Sequence, residues 1–195
     1  MYNLLFEVAA ICSHFLYFGS ILIANLGVDM AGSSNSINTP IIVKNNQVTR
    51  PLQCAFFAQL NASLGNVTGD GTVFQIPCNN VVFDQSSSYN PLNGVFTAPV
   101  TGNYLFGASI NTQGLTSSMN VYVLKCMTTA REYRLVEMGA YVPSSASQTL
   151  QYAGCIFARM NADETAYFTI RVAGGSKVVS LQAAGISFIY GYLLD

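Results

Sequence analysis

The stretch Asn90–Ser109, NPLNGVFTAPVTGNYLFGAS, carries no charged side chain and sets three glycines and two prolines among regularly spaced aromatics. Glycine and proline punctuate turns, and the run Tyr104, Phe106, Ala108, Ile110 alternates with period two, the signature of a strand with one face buried. The same alternation returns in Ala166, Phe168, Ile170 and Val172 against Thr165, Tyr167, Thr169 and Arg171. Asp70-Gly71, Asn93-Gly94 and Gly174-Gly175-Ser176 separate strand-like runs and offer positive-φ turns. No helical periodicity is visible after residue 50. These patterns predict an all-β domain, a sandwich or jelly roll.

Composition narrows the function classes. The 195 residues suffice for one domain with a sizeable core and an N-terminal extension. Only 9% of residues are charged and 51% are hydrophobic, against a usual charged share of about 25%. Such a chain has a poorly solvated surface unless a partner covers part of it. The formal net charge of −1 and the sparse Arg131 and Arg134 pair give no footprint for nucleic acid. Cys12, Cys54, Cys78, Cys126 and Cys155 are scattered without metal-ligand spacing and read first as thiols of the core. Pairing of Cys54 with Cys155, or of Cys78 with Cys126, stays open.

Residues 1–30 form an apolar segment in which 8–28 hold no Asp, Glu, Lys or Arg. Its flanks carry Glu7 and Asp29, and His14 interrupts it. Three readings stand open: a secretion signal or membrane anchor, an extension upstream of a start at Met30, or a helix that packs in an assembly. Residues 31–50 are rich in Ser, Asn and Thr and read as a polar linker or arm, and residues 51–195 as the domain.

In the last strand, ISFIYGYLL, both alternating sets are largely apolar. Ser187, Ile189, Gly191 and Leu193 form one set, Phe188, Tyr190, Tyr192 and Leu194 the other. One face is expected on the core and the other against a neighbouring subunit, with Phe188, Tyr190 and Tyr192 as interface residues.

The opening stretch resembles the complement C1q-head family, the C1q-like branch of the tumour necrosis factor superfamily. Asp84, Tyr89, Gly94, Phe96, Pro99, Gly102, Tyr104 and Phe106 fall at the spacings of its signature, and Phe188, Gly191 and Leu193 resemble its closing strand. Cys78 and Ala108 stand where aromatics are usual, and Asn161-Ala162-Asp163-Glu164 replaces a Gly-Asp turn. The resemblance covers about residues 51–195. It implies a ten-stranded jelly roll that assembles as a homotrimer, with its terminal strand near the threefold axis. Gly102 is expected to need a turn conformation.

No catalytic set is evident. The single histidine, His14, lies outside the domain, so a Ser-His or Cys-His mechanism lacks its base. Asp163-Glu164 reads as a solvated turn, and Gly65–Thr72 lacks the lysine of a phosphate loop. Asn61-Ala62-Ser63 and Asn66-Val67-Thr68 are glycosylation sequons if the chain enters a eukaryotic secretory pathway. No cofactor is expected, although calcium at Asp70 or Asp163 remains open because some members of the resembled family bind it. The expected function is a non-enzymatic trimeric recognition or adhesion head. Its ligand would be a protein or carbohydrate outside the cell or at the cell surface. The alternative is a structural virion or phage component, a fibre tip or capsid-surface knob, on the same fold. Membrane contact is expected only through residues 8–28, if at all.

Overall fold

The computed structural model describes residues 22–23, 42–44, 47–49, 53–139, 148–183 and 185–194, and the chain divides into two compact units, Met1–Gln53 and Cys54–Asp195. In the first unit, β1 (Leu22–Ile23), β2 (Ile42–Lys44) and β3 (Gln47–Thr49) form an antiparallel sheet in that order. The stretch 31–50, read from the sequence as a polar linker or arm, contains a paired β2–β3 with Val43 opposite Val48, since β-branched residues favour strand pairing. Apart from Leu22 and Ile23, the apolar run 8–28 lies outside the described residues. Among those residues no helix is long and apolar enough to cross a membrane.

The second unit continues with β4 (Ala55–Gln59), β5 (Leu64–Thr68), β6 (Val73–Gln75), β7 (Asn80–Asp84), β8 (Tyr89–Asn90) and β9 (Val95–Thr97). Then come β10 (Gly102–Leu115), β11 (Val121–Thr128), β12 (Glu132–Met138), β13 (Gln148–Met160), β14 (Thr165–Ala173), β15 (Val179–Leu181) and β16 (Phe188–Leu193). A seven-stranded sheet, here sheet I, is centred on β10, which pairs with β13 along one side and with β16 and β15 end to end along the other. Beyond them lie β4 and β5, then β7. A six-stranded sheet II runs β12, β11, β14, then β9 and β6 end to end, then β8. Every pairing described is antiparallel. Because several strands are interrupted, the lanes number about five per sheet, which is the two-layer jelly roll expected from the sequence.

Alternation sends one set of side chains from each sheet inward. Tyr104, Phe106, Ala108 and Ile110 of β10 are buried, as are Ala166, Phe168, Ile170 and Val172 of β14. The aromatics interlock across the layers. Phe96 of sheet II packs 5.3 Å from Phe56, and edge-on 5.3 Å from Phe106 and 5.5 Å from Tyr104, all three on sheet I. Tyr89 stacks on Phe56 at 4.7 Å and its hydroxyl donates to the Cys78 carbonyl at 2.7 Å, so burial leaves no phenol unpaired there.

The turns follow from local chemistry. Gly94 has φ 69, and an added Cβ would lie 2.7 Å from the Ile76 carbonyl oxygen, so only glycine fits. Gly102, by contrast, opens β10 as a ladder-paired residue opposite Met160. The turn conformation expected at Gly102 is absent, because the bend falls on residues 99–101 and β10 begins immediately after it. Asp84 organises the approach to β8: its carboxylate accepts from the backbone N–H of Ser86 at 3.3 Å, Ser88 at 3.2 Å and Tyr89 at 2.9 Å. In the turn after β13, Asp163 takes φ 68 while the Glu164 carboxylate accepts from the Asn161 N–H at 2.9 Å. Side-chain capping there does the work of a glycine turn.

Gly191 tests this packing directly. A Cβ at this position would lie 2.6 Å from Phe56 and 2.7 Å from Phe106, two rings with no space to retreat. We expect Gly191→Ala to destabilise the domain by about 1–3 kcal/mol through overpacking. The measurement is a lowered urea midpoint with an unchanged slope.

Candidate functional site

The outer face of sheet I is the most distinctive surface of the domain. Phe188, Tyr190 and Tyr192 alternate with the inward Ile189 and Gly191 along β16, as the sequence led us to expect. The structure adds a ladder of rings beyond β16. Phe57 of β4 lies 6.2 Å from Phe83 of β7 and 5.2 Å from Phe188, and Phe188 lies 6.5 Å from Tyr190. The ladder continues over β10, where Tyr190 lies flat across Gly107: an added Cβ at Gly107 would meet the Tyr190 ring at 2.2 Å. Burial lifts the Tyr190 phenol above its ordinary value, and its neighbours Cys155 and Tyr192 add to the shift.

On the far side of β10, Leu105 pairs with Phe157 and Gly107 with Cys155 on β13. Phe157 is 67% exposed, Phe83 47% and Tyr192 38%, so this face presents large apolar side chains to water. The three ion pairs among the described residues all lie on β11 and β12 of sheet II. Phe57, Phe83 and Phe157 were not anticipated as members of this face. The adjacent pair Phe56-Phe57 was the available signal, since neighbouring strand residues must point to opposite faces.

The motif residues fall into the core and its turns. Phe96, Tyr104, Phe106 and Gly191 build the aromatic centre, Tyr89 stacks upon it, and Asp84 and Gly94 shape turns. Pro99 lies in the bend before β10, where the Tyr104 hydroxyl donates to the Val100 carbonyl at 2.6 Å. Leu193 pairs with Tyr104 across the β16–β10 ladder.

Candidate chemical groups are dispersed. Cys54, Cys78 and Cys126 are buried free thiols, as expected for core cysteines, while Cys155 is free and exposed on the outer face of sheet I. A core position for Cys155 is thus corrected: the parity of β13 turns it outward. Asp70 accepts from the Thr72 N–H at 3.0 Å within its own turn, and that bond holds its carboxyl below the usual range. Among the described residues no three His, Cys, Asp or Glu side chains converge as metal ligands. His14 lies outside the described residues.

A C1q domain model matches residues 55–194, and the chain belongs to the C1q domain family. Among solved structures, the globular domain of zebrafish complement 1qA is similar at 16% identity, covering 73% of this chain and 98% of that one with a TM-score of 0.52. The tumour necrosis factor Eiger of S. frugiperda is similar at 15% identity, covering 73% and 93% with a TM-score of 0.52. At these identities the likeness concerns the fold. No curated protein matches the chain in sequence.

Burial pushes the Cys78 and Cys126 thiols from an ordinary 9.0 up to about 12, and the Tyr104 phenol from 10.0 up to about 12. Their folded-state values are raised, so the stability they contribute is complete below about pH 9 and lost as pH rises towards 12. Calorimetric melting temperatures should hold up to pH 9 and then fall. Cys126→Ala should flatten that alkaline fall while lowering the melting temperature at neutral pH.

Proposed function

We propose that this chain is a non-enzymatic recognition head that assembles as a homotrimer through the outer face of sheet I. Its loops then present a binding surface to a protein or carbohydrate ligand outside the cell or at its surface. The observation that carries this reading is the ring ladder Phe83, Phe57, Phe188 and Tyr190, half-buried except at the exposed Phe83 and continued by the exposed Phe157 and Tyr192 on the same face. Contiguous apolar surface of this kind marks an interaction site. The sequence supports the same conclusion, because a domain with 9% charged residues solvates itself poorly when alone.

Membership of the C1q domain family supports three as the number of copies. A head-to-tail contact around a threefold axis closes on itself and so covers the face without open-ended growth. Cys155 lies beside Tyr190 on the same face and is covered with it in the assembly. The dispersed carboxylates and buried thiols support a binding role over a catalytic one.

Light scattering at micromolar concentration tests the reading. The wild-type protein is expected at three times the chain mass. Tyr190→Arg places a charge in the centre of the face and should yield folded monomer, with alkylation of Cys155 at least several-fold faster than in the wild type. A monomeric wild-type protein would overturn the proposal.

A further inference from the structure

Five of the chain's few charged side chains share one groove. Lys125, Glu132, Arg134, Glu137 and Arg171 all line a groove of about 460 Å³ on the outer face of sheet II, formed by β11, β12, β14 and β6. That volume falls within the roughly 300–1,000 Å³ of small-ligand sites. One wall of the groove is neutralised. Lys125 Nζ donates to Glu132 Oε2 at 2.8 Å, and Arg134 pairs with Glu137.

The opposite wall has an uncompensated cation. Arg171 has no carboxylate within ion-pair distance among the described residues. Its Nε donates to the Gly71 carbonyl at 3.1 Å, which fixes the guanidinium while its Nη groups bear no described bond. A Cβ added at Gly71 would sit 3.6 Å from Nη2, an ordinary van der Waals contact, so the guanidinium lies close over the turn. Along β14, Thr169 and Tyr167 follow Arg171 on the same face. Between the walls, Val121 and the buried Val123 form an aliphatic floor, with the exposed Val73 at the rim.

We infer that this groove binds a short extended peptide segment of another protein, with a carboxylate side chain on Arg171 and flanking aliphatic side chains on the valine floor. The charge balance decides the anion. The groove holds three cations and two carboxylates, so one positive charge is left over, and a guanidinium presenting two parallel N–H groups matches a planar carboxylate. A dianionic phosphate would need a second free cation. The floor decides between peptide and acidic sugar: Val121, Val123 and Met127 of β11 make it apolar and suited to aliphatic side chains, and the groove's one aromatic, Tyr167, offers a sugar no paired platform. The inference deepens the recognition-head reading and rests on it for a biological purpose, but the groove lies on the sheet opposite the proposed assembly face.

The test uses the full chain and a fluorescein-labelled, amidated peptide Val-Val-Asp-Val-Val, with its Asn counterpart and free glucuronate as controls. Saturable polarisation is expected with the Asp peptide, and affinity on the order of 10-fold weaker with the Asn peptide. Arg171→Gln should cause a similar loss and Arg171→Lys a smaller one. Glu137→Gln, on an exposed side chain whose loss leaves the core intact, should strengthen binding by releasing Arg134. Equal binding of the Asp and Asn peptides, an Arg171→Gln protein that binds as the wild type does, an unchanged affinity in Glu137→Gln, or displacement by glucuronate at lower concentration than by unlabelled peptide would overturn the inference. Light scattering on the same samples separates the two readings. A trimer that ignores the peptide defeats only the groove, and a monomer that binds it through Arg171 defeats only the assembly.

Discussion

The domain hangs on the contact of Phe96 with Phe56, Tyr104 and Phe106. Phe96 stands on a three-residue strand of sheet II, and its three partners stand on β4 and β10 of sheet I, the two strands that flank β16, so this one ring joins the layers. Aromatic pairs in offset or edge-on geometry contribute about 0.5–1.5 kcal/mol each beyond the area they bury. Their placement also constrains the backbone. Gly191 must lack a side chain so that the Phe56 and Phe106 rings can each close over it, and Gly94 must turn the chain so that Phe96 arrives from the other sheet.

With the interior committed to aromatics, the two outer faces differ in kind. Sheet I repeats the aromatic theme outside, where Gly107 does for Tyr190 what Gly191 does for the inner rings. A glycine in a strand interior weakens the ladder unless something packs closely upon it, and here a ring does. Sheet II instead bears the ion pairs and the groove. The scarcity of charge along the chain therefore reflects a division of labour between faces. One presents large apolar rings, while the other holds a guanidinium positioned by the Gly71 carbonyl.

The parts of the fold legible in the sequence were those set by local rules. Period-two alternation identified β10 and β14, and turn chemistry identified the bends at Asp70-Gly71, Asn93-Gly94 and Gly174-Gly175. The two apolar sets of β16 announced a strand with aromatic side chains on its outer face as well as apolar ones on its inner face. Less legible were features that depend on lane order. Phe57 and Phe83 become neighbours only because β7 pairs with β4, and Phe157 joins their face only because β13 flanks β10. The pairing of β2 with β3 was hidden by the polar composition around it, and the structural use of Gly102 was misread because strand and turn abut there.

The groove was the least legible element of all. Arg171 read as one polar tooth in an alternating strand, and Arg134 as half of a sparse basic pair. By itself the sequence determined that the chain folds as an all-β domain, which residues of β10 and β14 face its core, and that one strand has two apolar faces, since these follow from periodicity and steric rules within a few residues. Only the tertiary structure decided which apolar side chains form one surface and which cation is left without a carboxylate. Both depend on strand order and register, which bring together residues about 100 positions apart, as Arg171 and Gly71 are.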